Sequence, residues 1–396
     1  LLERPTEGSV VIDGVEMEFV YVLDTEAPVE IMIWLPQLKA FCTAEDMTHN
    51  MHNLQTLRGA KVRNGLLWSK AVDTAIERYG DQVEVSFSTH HWPTWGNERI
   101  VNYWEAQRDM YRYLHDQTLH LANRGLTPDE IAEEMKLPAS LASQFNCRGY
   151  YGTLSHNVKA QYDLYFGWFD GNPAHLNPLP PSELGAKYVE AIGGADKVLE
   201  VAKASYAKGE YRWVATLLDN LVFAEPENKE ARQLLADTYS QLGYQAESGP
   251  WRNFYLTGAQ DLFKKNVPYT SKLINDGVLS QMDMGTLLDY CAIQLNGEKA
   301  GGKEAVININ FTDTKEKVML MLNNGVLNHR LGSQDKKADL TMEIAKMDFV
   351  KLFFGRTDLQ TLRKTNKVKT TGDTKAIDMI RSAYEPADPN FKIVLP

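Results

Sequence analysis

Ser9-Val-Val-Ile-Asp-Gly-Val-Glu-Met-Glu-Phe-Val-Tyr-Val-Leu23 decides how the chain opens. Two apolar runs flank Asp13-Gly14, a dipeptide that tolerates the positive φ of a two-residue turn, so the stretch is predicted to be a β-hairpin. Working outward, residues 29–35 (VEIMIWL) read as a strand, residues 38–41 as a further short one, and the alternating residues 81–88 (DQVEVSFS) as another. Between them, residues 51–58 and 66–79 read as helices. The opening region is therefore expected to be a mixed α/β piece.

Residues 97–123 carry Ile100, Tyr103, Trp104, Met110, Tyr113 and Leu114 in a long helical pattern that Arg124-Gly125 ends. Thr127-Pro128-Asp129-Glu130 then opens a short helix, with Thr127 as cap, Pro128 in the first turn and Glu130 three residues on. Past the Gly-, Asn- and Pro-rich residues 167–181, the chain is helical again to about Gly243. Within it Ala202 and Ala236, and Gly209 and Gly243, stand 34 residues apart, with Tyr206 and Tyr239 one residue out of step. That is the tetratricopeptide period over about one and a half repeats; the plainer alternative is an ordinary helical hairpin used for packing or dimerisation.

From about Ala259 a helix at residues 270–281 precedes short alternating runs at 306–311, 316–322, 325–330 and 338–342, expected to form an antiparallel sheet with one apolar face. Helices at 346–354 and 374–384 can cover that face. The result is an α+β domain with an apolar interior. At ~100–200 residues per domain, 396 residues suggest two or three domains.

The 42 Lys+Arg against 52 Asp+Glu leave a net charge of -10, which disfavours a broad nucleic-acid surface. A hydrophobic share of 43% and a charged share of 24% suit a globular chain, and no apolar stretch approaches the ~18 residues of a membrane span. Cys42, Cys147 and Cys291 are too scattered for a disulfide framework or a cysteine zinc site. The chain starts Leu1-Leu2-Glu3-Arg4-Pro5, without an initiator Met or a signal sequence, so the true start is expected upstream.

Among nine histidines, His49 and His52 could share a helical face after Glu45, although HxxH without the glutamate of HExxH is a weak metal signal. His90-His91-Trp92-Pro93 follows a predicted strand, where a loop can present an imidazole to a cleft; a histidine packed by Trp92 and Trp95 is the alternative. Glu26, beside Ala27-Pro28, reads equally as a solvated loop glutamate. Arg58-Gly59 could hold an oxyanion through the guanidinium fork or be plain surface.

Taken together, Thr25-Glu26-Ala27-Pro28, Ala44-Glu45-x-x-Thr48-His49-x-x-His52-Asn53, Thr56-Leu57-Arg58-Gly59-Ala60 and His90-His91-Trp92-Pro93-x-Trp95-Gly96 resemble the zinc alkylsulfatases of the metallo-β-lactamase superfamily. Arg148-Gly149-Tyr150-Tyr151-Gly152, Ser155-His156-Asn157 and Gly167-Trp168-Phe169-Asp170-Gly171-Asn172-Pro173 extend the resemblance over nearly the whole chain. It implies the C-terminal part of a metallo-β-lactamase-like αββα catalytic domain at 1–122, a helical dimerisation domain at 123–260 and a sterol-carrier-protein-2-like α+β domain at 261–396. It further implies a two-zinc site (Zn2+) to which Glu26, Glu45 and His90 contribute, a sulfate-binding turn and helix from Asn53 to Arg58, and His156 and Tyr162 as further sulfate contacts. The implied substrate is an alkyl sulfate of the dodecyl sulfate type, hydrolysed by a homodimer. Two metals generating hydroxide while an arginine holds the anion suit such an ester.

The family's His-x-His-x-Asp-His stretch is nowhere in the 396 residues, and three ligands cannot fill two zinc spheres of about four ligands each. The chain is accordingly expected to be the C-terminal portion of a longer enzyme. A rival of a different class is a non-catalytic dimeric module that binds apolar ligands through the final domain.

Overall fold

The computed structural model describes residues 8–264, 275–388 and 391–396. The chain divides into two compact units, residues 1–264 with 392–396, and residues 265–391.

In the first unit, β1 (Gly8–Ile12) and β2 (Val15–Val22) pair antiparallel around Asp13 (φ 51°) and Gly14 (φ 82°), which is the predicted hairpin. β3 (Glu30–Leu35), β4 (Ala40–Cys42), β5 (Val85–Phe87) and β6 (Thr94–Trp95) extend it to a six-stranded sheet in chain order. β2–β3 and β3–β4 are antiparallel, whereas β4–β5 is parallel. Hence β2, β4 and β5 run the same way, and the segments leaving their C-terminal ends emerge at one edge of the sheet. The predicted strand at 38–41 begins late, because Pro36–Leu38 forms a 3-10 turn and Lys39 (φ 45°) reverses the chain.

The predicted helix at 51–58 is not there. Residues 43–64 are neither helix nor strand, and their backbone groups pair with distant segments: Met51 N–H donates to the Arg148 carbonyl at 2.9 Å, and His52 N–H to the Tyr111 hydroxyl at 3.1 Å. Such tertiary partners replace the i→i−4 ladder that a helix would provide.

α1 (Gly65–Tyr79) and α2 (Asn97–Ala122) pack on the sheet, and Trp68, Trp104, Tyr111 and Phe41 are fully buried between them. α3 (Pro128–Glu134), α4 (Ala139–Ala142) and α5 (Leu154–Phe166) follow, and Ile131, Val158 and Ala160 join the same core. Thr127 forms the full capping box with Glu130.

α6 (Pro181–Ile192), α7 (Ala195–Ala207), α8 (Tyr211–Ala224), α9 (Lys229–Gln245) and α10 (Gly249–Asp261) enclose a separate core. Ala202 and Ala236 are both buried in it, but the repeat breaks at the glycines. Gly209 (φ 79°) turns the chain after α7, whereas Gly243 lies inside α9, where an added Cβ would come 3.0 Å from Leu256. Leu217, Leu218, Leu221 and Val222 are buried within this core, with only Phe223 of that run half-exposed.

The second unit has α11 (Asp276–Gln281), α12 (Met284–Ala292) and α13 (Gly297–Ala300) ahead of β7 (Ala305–Phe311), β8 (Lys317–Asn323), β9 (Val326–Leu331) and β10 (Leu340–Ile344). α14 (Lys346–Phe353), α15 (Leu359–Lys364), β11 (Val368–Gly372) and α16 (Lys375–Ser382) complete it. The helix expected at 270–281 is met by α11; residues 270–274 lie outside the described residues. The sheet order is β11-β10-β7-β8-β9, and β10 lies parallel to β7, so the sheet is mixed rather than antiparallel. The return from β9 to β10 is pinned by buried Asn308, whose amide exchanges two hydrogen bonds with the Asp335 backbone at 2.7 and 2.9 Å. Phe349, Val350, Phe353, Ile377 and Ile380 from α14 and α16 cover the apolar face as expected.

Removing the Thr127 cap should destabilise the first unit. Thr127→Ala is expected to cost about 1 kcal/mol, read as a lower urea midpoint with an unchanged slope.

Candidate functional site

The parallel run of β2, β4 and β5 brings together residues that are far apart in sequence. Glu26 sits in the loop after β2, Glu45 in the segment after β4, and His90 in the loop after β5. Ala44 (φ 48°) and His90 (φ 67°) both adopt the left-handed conformation that non-glycine residues avoid. The two loops are tied by Thr89 N–H donating to the Ala44 carbonyl at 2.9 Å.

Glu45 is the hub. One carboxylate oxygen lies 2.6 Å from His90 Nε2 and the other 3.4 Å from His52 Nε2. Ligand atoms of Glu26, Glu45 and His52 all lie within 4.8 Å of one another. His52, carried by the irregular segment, thus joins the Glu26, Glu45 and His90 that the resemblance implied, although the sequence offered it only as half of a weak HxxH signal. His49, its expected partner on a helical face, turns elsewhere: its ring stacks on Trp92 and Tyr103, at 5.0 and 4.8 Å between centroids.

Negative charge is concentrated behind the hub. Glu30, the first residue of β3, is pushed up to about 7 by burial and then by the Glu26 carboxyl beside it. Burial likewise raises the Asp46 carboxyl well above the usual range, although Glu26 N–H donates to it at 3.3 Å and the Thr25 hydroxyl lies 3.1 Å away. Glu45 moves the other way, down to about 2, because His52 first and His90 second hydrogen-bond its carboxylate.

The cation that answers this charge is Arg63. Its guanidinium pairs with the Glu26 carboxylate, donates to the Asn53 side-chain oxygen at 2.6 Å and the Asn53 carbonyl at 2.9 Å, and reaches His52 Nδ1 at 3.3 Å. His52 Nδ1 also lies 3.0 Å from the Asn53 carbonyl, so either tautomer of the ring has a partner. Asn53, expected at the sulfate, is buried and held by Arg63. Arg58 is exposed at the tip of the turn from Thr56 to Gly59, and no ion pair involves it among the described residues.

Behind the segment, α5 presents Asn157 and Gln161, four residues apart on one face. Asn157 accepts from Leu54 N–H at 2.8 Å and donates to the His52 carbonyl at 2.9 Å, while Gln161 donates to the Arg63 carbonyl at 2.9 Å. His156, on the same helix, places Nε2 2.7 Å from the Gln55 carbonyl and accepts from Trp251 at its other nitrogen. Tyr162 packs in the core with its ring 4.7 Å from Phe166. The structure therefore gathers Glu26, Glu45, His90 and Asn53 in one cluster, sets Arg58 outside it at the turn, and puts His156 behind the turn. Sequence reasoning missed Arg63, Glu30 and Asp46, and had His52 only as half of a weak HxxH signal on a helix that is not there. Asn157 and Gln161 at helical i,i+4 spacing were a further available signal.

The two arginines differ in what they hold. Arg63→Met leaves a part-buried carboxylate unpaired and should cost about 3 kcal/mol in chemical denaturation, whereas exposed Arg58→Ala should stay within about 0.5 kcal/mol of the unsubstituted protein.

Residues 127–265 match the family described as alkyl sulfatase dimerisation, and residues 272–396 the one described as alkyl sulfatase C-terminal. The chain is 46% identical over 395 residues to a linear primary-alkylsulfatase of Pseudomonas sp, covering 99% of the chain and 58% of that relative. A second linear primary-alkylsulfatase, from Pseudomonas sp. (strain ATCC 19151), is 30% identical over 388 residues, covering 95% of the chain and 72% of that relative. Among solved structures, the stereoselective inverting sec-alkylsulfatase Pisa1 from Pseudomonas sp. superposes with a TM-score of 0.96 at 42% identity, over 100% of the chain and 62% of that structure. The chain thus spans about three fifths of the length of the first relative and of Pisa1. With 72% of the second relative covered at 30% identity, the chain belongs to the alkylsulfatase family.

Proposed function

We propose that the protein acts in the hydrolysis of alkyl sulfate esters to alcohol and sulfate, with Glu26, Glu45 and His90, joined by His52, supplying part of a two-zinc centre. The observation that carries this reading is the convergence of two carboxylates and two imidazoles at the common exit of β2, β4 and β5. The metallo-β-lactamase-like half-domain and the sterol-carrier-protein-2-like final region belong to the same reading.

The donors fit the metal in kind, since carboxylate oxygen and imidazole nitrogen both suit zinc. They fall short in number, because two tetrahedral ions take roughly eight donors and no His-x-His-x-Asp-His stretch occurs in the 396 residues. When bound, zinc supplies Lewis acidity and a water of lowered pKa. The chain's own residues do the rest. Arg63 fixes the Glu26 carboxylate and the Asn53 amide. Arg58, exposed and free of ion pairs among the described residues, offers a planar fork that fits two sulfate oxygens. A net charge of -10 makes such a local cation more necessary for an anionic ester. For the homodimer, Tyr188 on α6, Trp213 on α8, Tyr244 on α9 and Phe254 on α10 are among the exposed apolar residues of the helical region.

Residues 1–396 alone are expected to bind zinc weakly and to release negligible dodecanol from dodecyl sulfate; robust turnover by this chain would remove the argument from missing ligands. In the complete enzyme, Arg58→Lys should raise KM or lower kcat about tenfold although charge is kept, and Arg58→Ala should do more. Steady-state kinetics unchanged in Arg58→Lys would rule out bidentate holding of the sulfate.

A further inference from the structure

We propose that Trp251, at the start of α10, is a positioning residue for the anion-binding turn, acting through His156. Its functional consequence rests on the sulfatase reading above; its geometry does not.

α10 is fastened to the site at its first residues. Ser248 Oγ donates to the Tyr151 carbonyl at 2.7 Å, Gly249 N–H donates to the Tyr150 carbonyl at 2.8 Å, and Glu247 pairs with Arg148 at 2.7 Å. The 148–152 loop is in turn paired with the site segment, with Gly152 N–H donating to the Met51 carbonyl at 2.8 Å. An added Cβ at Gly152 would lie 2.6 Å from the His52 carbonyl oxygen, so this approach leaves no room for adjustment.

On this base stands a directed relay. The indole Nε1 of Trp251 can only donate, and it lies 3.1 Å from His156 Nδ1. His156 Nδ1 must therefore accept, and the neutral ring then carries its proton on Nε2. That proton is what the Gln55 carbonyl, 2.7 Å from Nε2, requires. Burial, which holds the His156 imidazole below its ordinary range, favours the same neutral form. Gln55 is the residue before the turn closed by Gly59 N–H on the Thr56 carbonyl at 3.2 Å, with Gly59 at φ 82°. Fixing the Gln55 carbonyl fixes the base of the turn that carries Arg58. Without the indole donor the Gln55 carbonyl still calls for the proton on Nε2, but buried Nδ1 is left without its donor and the ring is held at one nitrogen instead of two, which loosens the anchor at the base of the turn.

The test compares Trp251→Phe, which keeps a ring and removes the N–H, with His156→Gln, whose amide can accept from Trp251 and donate to Gln55. In the complete enzyme with dodecyl sulfate, Trp251→Phe should raise KM about fivefold with kcat within about twofold, the pattern of lost anion binding rather than lost chemistry. His156→Gln should keep KM near the unsubstituted value, while His156→Ala should match or exceed the Trp251→Phe defect. Side-chain 15N shifts should show His156 protonated at Nε2 in both proteins, with the Nδ1 resonance displaced in Trp251→Phe by loss of the bond it accepts. An undisplaced Nδ1 resonance, an unchanged KM in Trp251→Phe, or kcat and KM moving together with a loss of melting temperature would each overturn the proposal. Should the unsubstituted enzyme fail to hydrolyse alkyl sulfates, the sulfatase reading fails, and the 15N shifts alone decide the relay.

Discussion

Between Cys42 and Gly65 the chain has no helix or strand, yet Met47, Met51, His52, Asn53 and Leu54 are buried. A buried peptide group without a partner costs about as much as a lost hydrogen bond, so each must be met from elsewhere. Tyr111 on α2 meets His52 N–H; Asn157 on α5 meets the His52 carbonyl and the Leu54 N–H; the 148–152 loop meets Met51 on both sides. Trp68 on α1 donates to the Asp46 carbonyl at 2.7 Å. These side chains point inward from helices that are otherwise apolar on that face. The site is rigid because its irregular backbone is bound on every side, and the helices are polar at these points because the backbone there is irregular.

Charge is balanced within the same small volume. Glu26, Glu30, Glu45 and Asp46 could not all ionise side by side at low solvent exposure, and the upward shifts of Glu30 and Asp46 record that cost. Arg63 answers Glu26, and the two imidazoles answer Glu45. A group of carboxylates that needs this much compensation is a poor stability device, since part-buried ion pairs rarely repay their desolvation. In the two-zinc reading proposed above, a bound cation would offset part of this crowding of carboxylates.

The hairpin around Asp13-Gly14, the helices α1 and α2 and the capping box at Thr127 were legible, because local turn chemistry and periodicity decide them, whereas α5 and α10 were not foreseen. Residues 51–58 were misread as helix for the complementary reason. Their apolar spacing is helical by coincidence, and the partners that hold them lie about 100 residues away, in α5 and the 148–152 loop, where no local pattern reports them. Glu26, Glu45 and His90 were found through the resemblance of their surrounding motifs, not through periodicity. Arg63 carries no motif, and only its contacts single it out.

The spacing of the candidate ligands follows from sheet topology. A parallel pair cannot be joined by a tight turn, so β4 and β5 require a long crossover, and α1 supplies its helix. Glu45 and His90, which touch, are 45 residues apart because the crossover and β5 itself separate the C-terminal ends of β4 and β5. Its first part, before α1 begins, is the irregular segment that carries His52, Asn53, the Arg58 turn and Arg63. Two candidate ligands, the exposed Arg58 and the arginine that clamps Glu26 therefore all belong to one connection. Lengthening or straightening that connection into regular structure would remove the site while leaving the sheet intact, which is why the segment stays irregular at the cost of so many inward-pointing polar side chains.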